Sequence, residues 1–590
     1  MRMLSQLKHI IFLLIFSFTN SLFAQQESDT VAPEMGHGQA SNHGPATSHY
    51  ASEFIAVTAH PLATQATYNI LAKGGSSVDA MVTAQTVLGL VEPQSSGLGG
   101  GAFTLFYDAN KQSLKTYDGR ETAPLSSSEQ LFMSDETTPM QFFDAVVGGK
   151  SVGTPGTVKL LWEMHKEYGV LPWKELLKPA IELAKKGFEV SPRLAASVAR
   201  DQNRLKLDED TAAYFLPKGR PIKEGDNLKN PIYAQTLTQL AKHGGDYFYN
   251  SDISKAIVDK VVSSSKKGLL SQADFNAYKV IERDPVCSPF YNYNVCGMGP
   301  PSSGAIAVGQ ILGILEHQGV HTLDSESPAT WQVIAEASRL AFADREQYLA
   351  DPDFISIPKG LLEDIYLKSR SQEITPSKMN THISFGFPKG SKLNTQQAGN
   401  SPEQESTSHF VIVDKEGNII SMTSTIENAF GSRLMVKGFL LNNELTDFSF
   451  LPEKGGKLVS NRVEPGKRPR SSMAPTIVFE TIGSAEKPIL ALGSPGGSRI
   501  INFVAHSLVR TLAWKQELQA AFDSPHIINR FGRMEIEQNT DAVNWQNFYE
   551  ELSYTTVLQD INSGLHGVYF SEIGMQGAAD KRREGISLGK

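Results

Sequence analysis

Thr407-Ser408-His409-Phe410-Val411-Ile412-Val413, then Asp414-Lys415-Glu416-Gly417-Asn418, then Ile419-Ile420-Ser421-Met422-Thr423-Ser424-Thr425 is the stretch that decides the fold. The outer blocks read as strands and the middle block supplies turn residues, so the segment is a β-hairpin. A three-residue loop Lys415-Glu416-Gly417, with Gly417 at positive φ, pairs Asp414 with Asn418. Counting outward, Thr407 falls opposite Thr425. Directly opposed residues carry Cβ atoms about 4.5–5.5 Å apart, within reach of a hydroxyl–hydroxyl hydrogen bond. Thr425 can therefore orient Thr407, although cross-strand threonine pairs also occur simply because threonine suits strands.

The stretch ahead of the hairpin, Ser371 to Ser406, is polar and interrupted by Pro376, Pro388, Pro402, Gly386, Gly390 and Gly399, which reads as a solvent-exposed loop. A loop ending at a threonine that opens a core strand is what a self-cleaving precursor requires. Cleavage between Ser406 and Thr407 leaves Thr407 with a free α-amino group of unperturbed pKa about 7.7–8.0. That amine acts as general base for the hydroxyl of the same residue, with no His or Asp partner.

Other motifs surround this one. Leu441-Asn442-Asn443-Glu444, Asp447-Phe448, Arg468-Pro469-Arg470-Ser471-Ser472-Met473 and Gly493-Ser494-Pro495-Gly496-Gly497 follow it. Glu92-Pro93-Gln94, Gly97-Leu98-Gly99-Gly100-Gly101, Arg120-Glu121 and Pro300-Pro301-Ser302-Ser303-Gly304 precede it. In this order they resemble the γ-glutamyltranspeptidase family over nearly the whole mature chain. The resemblance implies an α/β (α+β) fold, the four-layer αββα sandwich of the N-terminal nucleophile (Ntn) hydrolases, formed jointly by a large and a small subunit cut from one precursor. The expected divisions are a signal peptide 1–24, a flexible leader 25–50, a large subunit 51–406 and a small catalytic subunit 407–590.

An acyl transfer needs a nucleophile, an oxyanion hole and groups that recognise the acyl part. The resemblance makes Thr407 the nucleophile on the γ-carbonyl of glutathione or another γ-glutamyl compound. Water, or an amino-acid or peptide acceptor, then resolves the acyl-enzyme. Gly496 and Gly497 can present consecutive backbone N–H groups without side-chain obstruction, and the resemblance assigns them the oxyanion hole. Arg120, Ser471 and Ser472 match the family's α-carboxylate binders, and Arg offers carboxylate a planar bidentate partner. Glu444 and Asp447 match the residues that hold the α-ammonium. Glu427, two beyond Thr425, is expected on the same strand face by period-2 alternation, at a position where some members carry Asn. Family members with a lid place an aromatic-bearing loop between Phe448 and Arg470. Here that stretch has Pro452, Gly455 and Gly456 but no Tyr or Trp, so hydrolysis is expected to outrun transfer to acceptors. No cofactor and no metal are implied.

At 590 residues, with 40% hydrophobic and 20% charged residues, the chain has ample material for a large core. A net charge of −8 without a basic stripe excludes a nucleic-acid partner. Arg2, Lys8 and His9, the apolar run Ile10 to Phe18 and Ser21-Leu22-Phe23-Ala24 form a secretory signal, cut after Ala24, which implies a periplasmic or secreted protein. The run is short for a membrane span, and an uncleaved anchor is the alternative. Cys287 and Cys296 flank a segment that can fold back as a hairpin; in an oxidising compartment they form a disulfide, and two buried free thiols are the alternative. His37, His43 and His49 lie among Gly, Ser, Ala, Asn and Pro, a leader composition more than a metal site.

Strands are expected at Phe54 to Val57 and Ala102 to Tyr107, with helices at Pro61 to Lys73 and from a Ser76 or Ser77 cap to Val91. Gly97 to Gly101 lacks the Gly-Lys-Ser/Thr ending of a phosphate loop and reads as a tight backbone approach. Val158 to Lys186, Asn230 to Lys242 and Thr330 to Tyr348 show helical periodicity and are assigned to outer layers and surface. After Thr407 the chain turns strand-rich before Arg499 to Thr511 and Lys515 to Phe522 return to helix. Three other functions compete: a cephalosporin (glutaryl) acylase, whose substrates lack the ammonium that Glu427, Glu444 and Asp447 would meet; a catalytically silent secreted homologue; and a serine hydrolase, disfavoured because Ser494 lies outside a Gly-x-Ser-x-Gly motif.

Overall fold

The hairpin forms in the register its turn dictates. Ser408–Val413 pairs antiparallel with Ile419–Thr425, from Ser408 opposite Ser424 to Val413 opposite Ile419. The Gly417 N–H donates to the Asp414 carbonyl at 3.0 Å, and Gly417 adopts a φ of 85°. Asp414 closes the turn by accepting from the Glu416 and Asn418 N–H groups.

The computed structural model describes residues 48–391, 397–399, 406–483 and 485–590. The signal-peptide expectation and the leader before residue 48 lie outside the described residues.

The hairpin occupies the middle of a seven-stranded antiparallel sheet. Its order is Ile586–Gly589, Ile55–Thr58, Ser408–Val413, Ile419–Thr425, Gly101–Asp108, Ser113–Gly119, Ile281–Arg283. A second seven-stranded antiparallel sheet runs His49–Ala51, Gly574–Ala579, His566–Ser571, Ala485–Gly493, Thr476–Ile482, Tyr293–Gly297, Val286–Phe290.

Side-chain alternation stacks these sheets into layers. Phe410 and Ile412 point to one side, packing with Ala63 and Ile70 of helix Pro61–Ala72 and with Val78 and Met81 of helix Ser77–Val91. Val411 and Val413 point to the other, joining Ile477, Leu490 and Val568 of the second sheet. That core continues into helices Gly304–His317, Pro328–Tyr348 and Ile500–Leu508. Helix, sheet, sheet, helix is the four-layer αββα sandwich. Because both faces of the central strands are covered, every residue of Ser408–Val413 and Ile419–Thr425 is buried, the hydroxyl-bearing ones included.

Local signals set the helix starts. Ser76 and Asp79 form a reciprocal capping box ahead of Ser77–Val91, and Pro61 opens its helix at the position where a missing N–H costs nothing. Cys287 and Cys296 sit directly opposite on Val286–Phe290 and Tyr293–Gly297 and are joined as a disulfide.

Three expectations need correction. Pro328–Tyr348 is not surface: it is buried along nearly its whole length, because it is wrapped by other elements and its charged groups are paired, Glu336 with Arg339 and Tyr554, and Glu346 with Arg470. The leader ends earlier than residue 50, since His49–Ala51 adds an edge strand against Gly574–Ala579. The segment Ser371 to Ser406 is not exposed throughout. Gly386 is bonded to Asp344 and Tyr348, and the Gln397 N–H donates to the Leu458 carbonyl at 3.0 Å. Among the described residues no helix is long and apolar enough to cross a membrane.

Candidate active site

The opposed threonines meet at the Ser406–Thr407 junction. The Thr407 hydroxyl lies against the Ser406 carbonyl oxygen and 3.3 Å from the Thr425 hydroxyl. The Thr425 hydroxyl donates to the same carbonyl at 3.0 Å and accepts from the Glu427 N–H at 2.9 Å. Ser406 and Thr407 are both buried. Strand pairing alone brings the two hydroxyls together, and the glycine run preceding Gly101–Asp108 lets the backbone close over them. A Cβ on Gly100 would lie 2.0 Å from the Thr425 carbonyl oxygen, a collision no neighbouring side chain could relieve.

The junction is gripped on both of its sides. The Ser406 hydroxyl donates to the Gln94 carbonyl at 2.6 Å, and the Ser408 hydroxyl donates to Glu92 at 2.9 Å. Arg193 neutralises Glu92 at 2.5 Å, and Arg583 donates to the Thr407 carbonyl at 3.0 Å.

A small pocket opens on this junction, lined by Arg120, Ser406, Thr407, Thr425, Glu427, Glu444, Asp447, Ser471, Ser472, Met473, Gly497 and Ile500. Every candidate side chain named from the sequence as catalytic or substrate-binding is in that lining. Gly496 is the exception among the candidate residues, standing one position behind Gly497. Glu427 arrives by a different route from the one expected. Its strand ends at Thr425, and Glu427 takes a φ of 75°, which folds its N–H back onto the Thr425 hydroxyl. A side-chain hydrogen bond from Asn443 then fixes its carboxylate.

The charges are arranged around one guanidinium. Arg120 is buried, pairs with Glu444, and pairs with Asp447 at 2.5 Å. Its remaining donors reach the Pro469 and Arg470 carbonyls at 3.2 and 2.9 Å. Burial opposes its charge, yet Glu444 and Asp447 outweigh that and hold its pKa above the ordinary arginine value. Glu121 is fully buried beside them. Desolvation first, and then Glu444, push its carboxyl well above the usual range, which disfavours its charged form.

Ser471 and Ser472 are held by the neighbouring Pro300 to Ser303 loop and by helix Pro328–Tyr348. The Ser303 N–H and hydroxyl both donate to the Ser471 carbonyl, and Arg345 donates to the Ser472 hydroxyl at 2.8 Å. Arg345 and Arg470 share Glu346, at 2.5 and 2.9 Å. Gly497–Arg499 forms a 3-10 turn at the start of helix Ile500–Leu508; of the two glycines expected at the oxyanion, Gly497 lines the pocket and Gly496 stands directly behind it.

Ile500, Arg345 and Glu346 were not named from the sequence, and Met473 was quoted there without a role. Met473 closes the Arg468–Met473 motif and Ile500 follows Gly493–Gly497, so proximity was the available signal. Arg345 and Glu346 sit on a helix whose periodicity reports only its apolar face. Among the described residues no cluster of three or more His, Cys, Asp or Glu is placed to hold a metal ion.

A four-layer αββα sandwich with a threonine at the head of a central strand, opposed by a second threonine, is the architecture of the Ntn hydrolases. Comparison with known proteins makes this specific. The γ-glutamyltranspeptidase family model matches residues 63–589. A glutathione hydrolase proenzyme of Bacillus subtilis is 37% identical over 483 residues, covering 80% of each chain. Among solved structures, a Helicobacter pylori γ-glutamyltranspeptidase is 30% identical with a TM-score of 0.55, covering 57% of this chain and 96% of that one. A cephalosporin acylase from Bacillus halodurans has a TM-score of 0.80 at 24% identity, covering 92% and 97%, a likeness of fold. The chain belongs to the γ-glutamyltranspeptidase family.

Proposed function

We propose that the protein is a self-cleaving γ-glutamyl hydrolase and transferase that acts on glutathione or related γ-glutamyl amides through an acyl-enzyme on Thr407. The observation that carries this reading is the convergence on one buried carbonyl, that of Ser406, of the Thr407 and Thr425 hydroxyls, within a pocket holding Arg120, Glu444 and Asp447.

Processing comes first. The Thr407 hydroxyl adds to the Ser406 carbonyl carbon while Thr425 stabilises the developing oxyanion. The peptide bond to the Thr407 nitrogen breaks, leaving an ester, and water hydrolyses that ester. The products are a large subunit ending at Ser406 and a small one beginning at Thr407, whose amine then accepts the proton of its own hydroxyl.

Catalysis reuses the same hydroxyl on the γ-carbonyl of the donor. The oxyanion is held by the Gly496 and Gly497 N–H groups. A γ-glutamyl group carries both an α-carboxylate and an α-ammonium, so it can replace the internal pairs of Arg120 by new ones: carboxylate to Arg120, Ser471 and Ser472, ammonium to Glu444, Asp447 and Glu427. A glutaryl group has no ammonium and would leave these acids unserved. The amine leaves, and water or an amino-acid or peptide acceptor releases the γ-glutamyl group. The apolar run near the N-terminus, with Ala24 before the cut, supports export to the periplasm or beyond.

The test is the intact mass and N-terminal sequence of purified wild type and Thr407→Ala. Two fragments in the wild type, the smaller starting at Thr407, and one uncut chain in the variant are expected. One uncut chain in both removes the free-amine mechanism. A processed enzyme that hydrolyses a glutaryl amide but not a γ-glutamyl amide removes the substrate assignment.

A further inference from the structure

Gly497 at the pocket and Gly496 behind it do not fix themselves. Gly496 has a φ of 127° and Gly497 a φ of 58°, conformations that glycine enters and leaves easily. The turn is fastened from behind, by residues that no part of the catalytic scheme uses.

Arg499, the last residue of the turn, donates from Nε to Glu535 Oε2 at 2.6 Å. Arg530 donates from Nη2 to Glu535 Oε1 at 2.6 Å, and its Nη1 reaches the hydroxyl of Ser498, the residue directly after Gly497. Gln559 adds a third donor to Glu535 Oε2 at 2.9 Å. All of these groups are buried. Burial opposes the charge on Glu535, but Arg499 and Arg530 outweigh it and draw the carboxyl down to about 2. The anion therefore persists at any working pH.

Glu535 and Gln559 belong to a small three-stranded sheet, Ile527–Ile528, Arg533–Glu537 and Thr555–Gln559, that lies outside both large sheets. Buried ion networks contribute little net stability compared with apolar packing, but each member is locked in direction by several hydrogen bonds. Such a network suits the placing of a mobile turn.

We propose that Glu535 is a positioning residue for the reaction: with Arg530 it pins Ser498 and Arg499, and so holds the Gly496 and Gly497 N–H groups where the oxyanion forms. The small sheet is then a buttress for the pocket floor. This rests on the reading of those glycines as oxyanion donors. Deleting one such donor elsewhere lowers kcat about 100- to 1,000-fold, so loosening the turn is expected to lower it about 10- to 100-fold. The oxyanion exists only in the transition state, and KM is expected to change little.

The test uses the processed two-subunit enzyme in four forms: wild type, Glu535→Gln, Glu535→Asp and Ser498→Ala. Turnover of γ-glutamyl-p-nitroanilide is normalised to sites counted as acyl-enzyme mass on Thr407. Glu535→Gln is expected to lose about 10- to 100-fold in kcat per site with KM within about threefold, Glu535→Asp to recover a substantial part, and Ser498→Ala to lose about 3- to 10-fold. A fall confined to the number of active sites or to melting temperature, with kcat per site unchanged, overturns the proposal; so does Glu535→Asp performing no better than Glu535→Gln. If Glu535→Gln does not fold, Ser498→Ala decides, because it leaves no buried charge unpaired. A wild type that forms no acyl-enzyme on Thr407 removes the functional reading and the brace together, whereas an acylating wild type with unaffected variants removes the brace only.

Discussion

Replacing Thr425 by valine keeps the shape of the side chain and deletes one hydroxyl. In the structure that hydroxyl is 3.0 Å from the Ser406 carbonyl oxygen and 3.3 Å from the Thr407 hydroxyl. Of these two hydroxyls at the scissile carbonyl, Thr407 is consumed in the attack, which leaves Thr425 to meet the developing charge. A preorganised donor at an oxyanion is worth about 2.7–4 kcal/mol, and a neutral hydroxyl at ordinary hydrogen-bond length belongs at the lower end. Self-cleavage of Thr425→Val should therefore slow about 100-fold. The variant also leaves the Glu427 N–H without its 2.9 Å acceptor, a penalty of about 1–3 kcal/mol that falls on stability. Thr425→Ser keeps the hydroxyl and should cleave within about tenfold of wild type. Precursor made by cell-free synthesis, halted and sampled over time, gives the rate from the intact mass of the 407–590 fragment. Thr425→Val cleaving within threefold of wild type would refute the assignment of Thr425 to the scissile carbonyl.

Other measurements probe other parts of the molecule. Burial pushes the imidazoles of His506 and His566 down to about 3, so both stay neutral in the fold while the unfolded chain protonates below about 6.5. Stability is therefore full above that value and lost as pH falls, each histidine removing about 2 kcal/mol by pH 5. Thermal unfolding followed from pH 7 to 5 should show the loss, and His506→Gln should show less of it; an identical pH dependence in both would remove His506 from the account. Glu121→Gln should keep kcat/KM within about fivefold, because burial and Glu444 already disfavour the charged carboxylate and an amide can donate as the acid does; a loss beyond 100-fold would mean that the charge is used. Hydrolysis should exceed transfer to dipeptides, since the segment from Phe448 to Arg470 carries only a short exposed hairpin, Glu453–Lys454 with Lys457–Leu458. Faster release to glycylglycine than to water at saturating acceptor would contradict this.

What the residues disclose in advance follows the range of the forces involved. The Thr407–Thr425 pairing was legible because a three-residue turn with a positive-φ glycine leaves a single register, and register propagates along a ladder. The capping box at Ser76 and the Cys287–Cys296 hairpin are local in the same sense. Glu427 was assigned to the right pocket by alternation, yet alternation had already ended at Thr425; the positive-φ turn that delivers it depends on a hydroxyl two residues back and on Asn443. Pro328–Tyr348 was misassigned to the surface because its charged residues look solvated until Glu336, Arg339, Arg345 and Glu346 find partners far along the chain. Gly496 and Gly497 stood out in sequence, whereas Glu535, which holds their turn, carries no signal at all, since nothing local distinguishes a bridging glutamate from a solvent-facing one.

The central sheet has a consequence for the life history of the molecule. Ser408–Val413 lies between Ile55–Thr58 and Ile419–Thr425, and the latter borders Gly101–Asp108. In the second sheet Thr476–Ile482 lies beside Tyr293–Gly297, and Gly574–Ala579 beside His49–Ala51. Strands from both sides of residue 406 are thus interleaved, and neither piece owns a complete sheet. Before the cut these strands find each other within one molecule, at the high effective concentration that a connecting chain provides. Afterwards the same pairing, once lost, has to be recovered by two separate chains meeting in solution. If the chain is cut at Ser406–Thr407 as proposed, the finished protein is a product that forms once, and its working lifetime is set by how slowly it comes apart instead of by an equilibrium to which it can return.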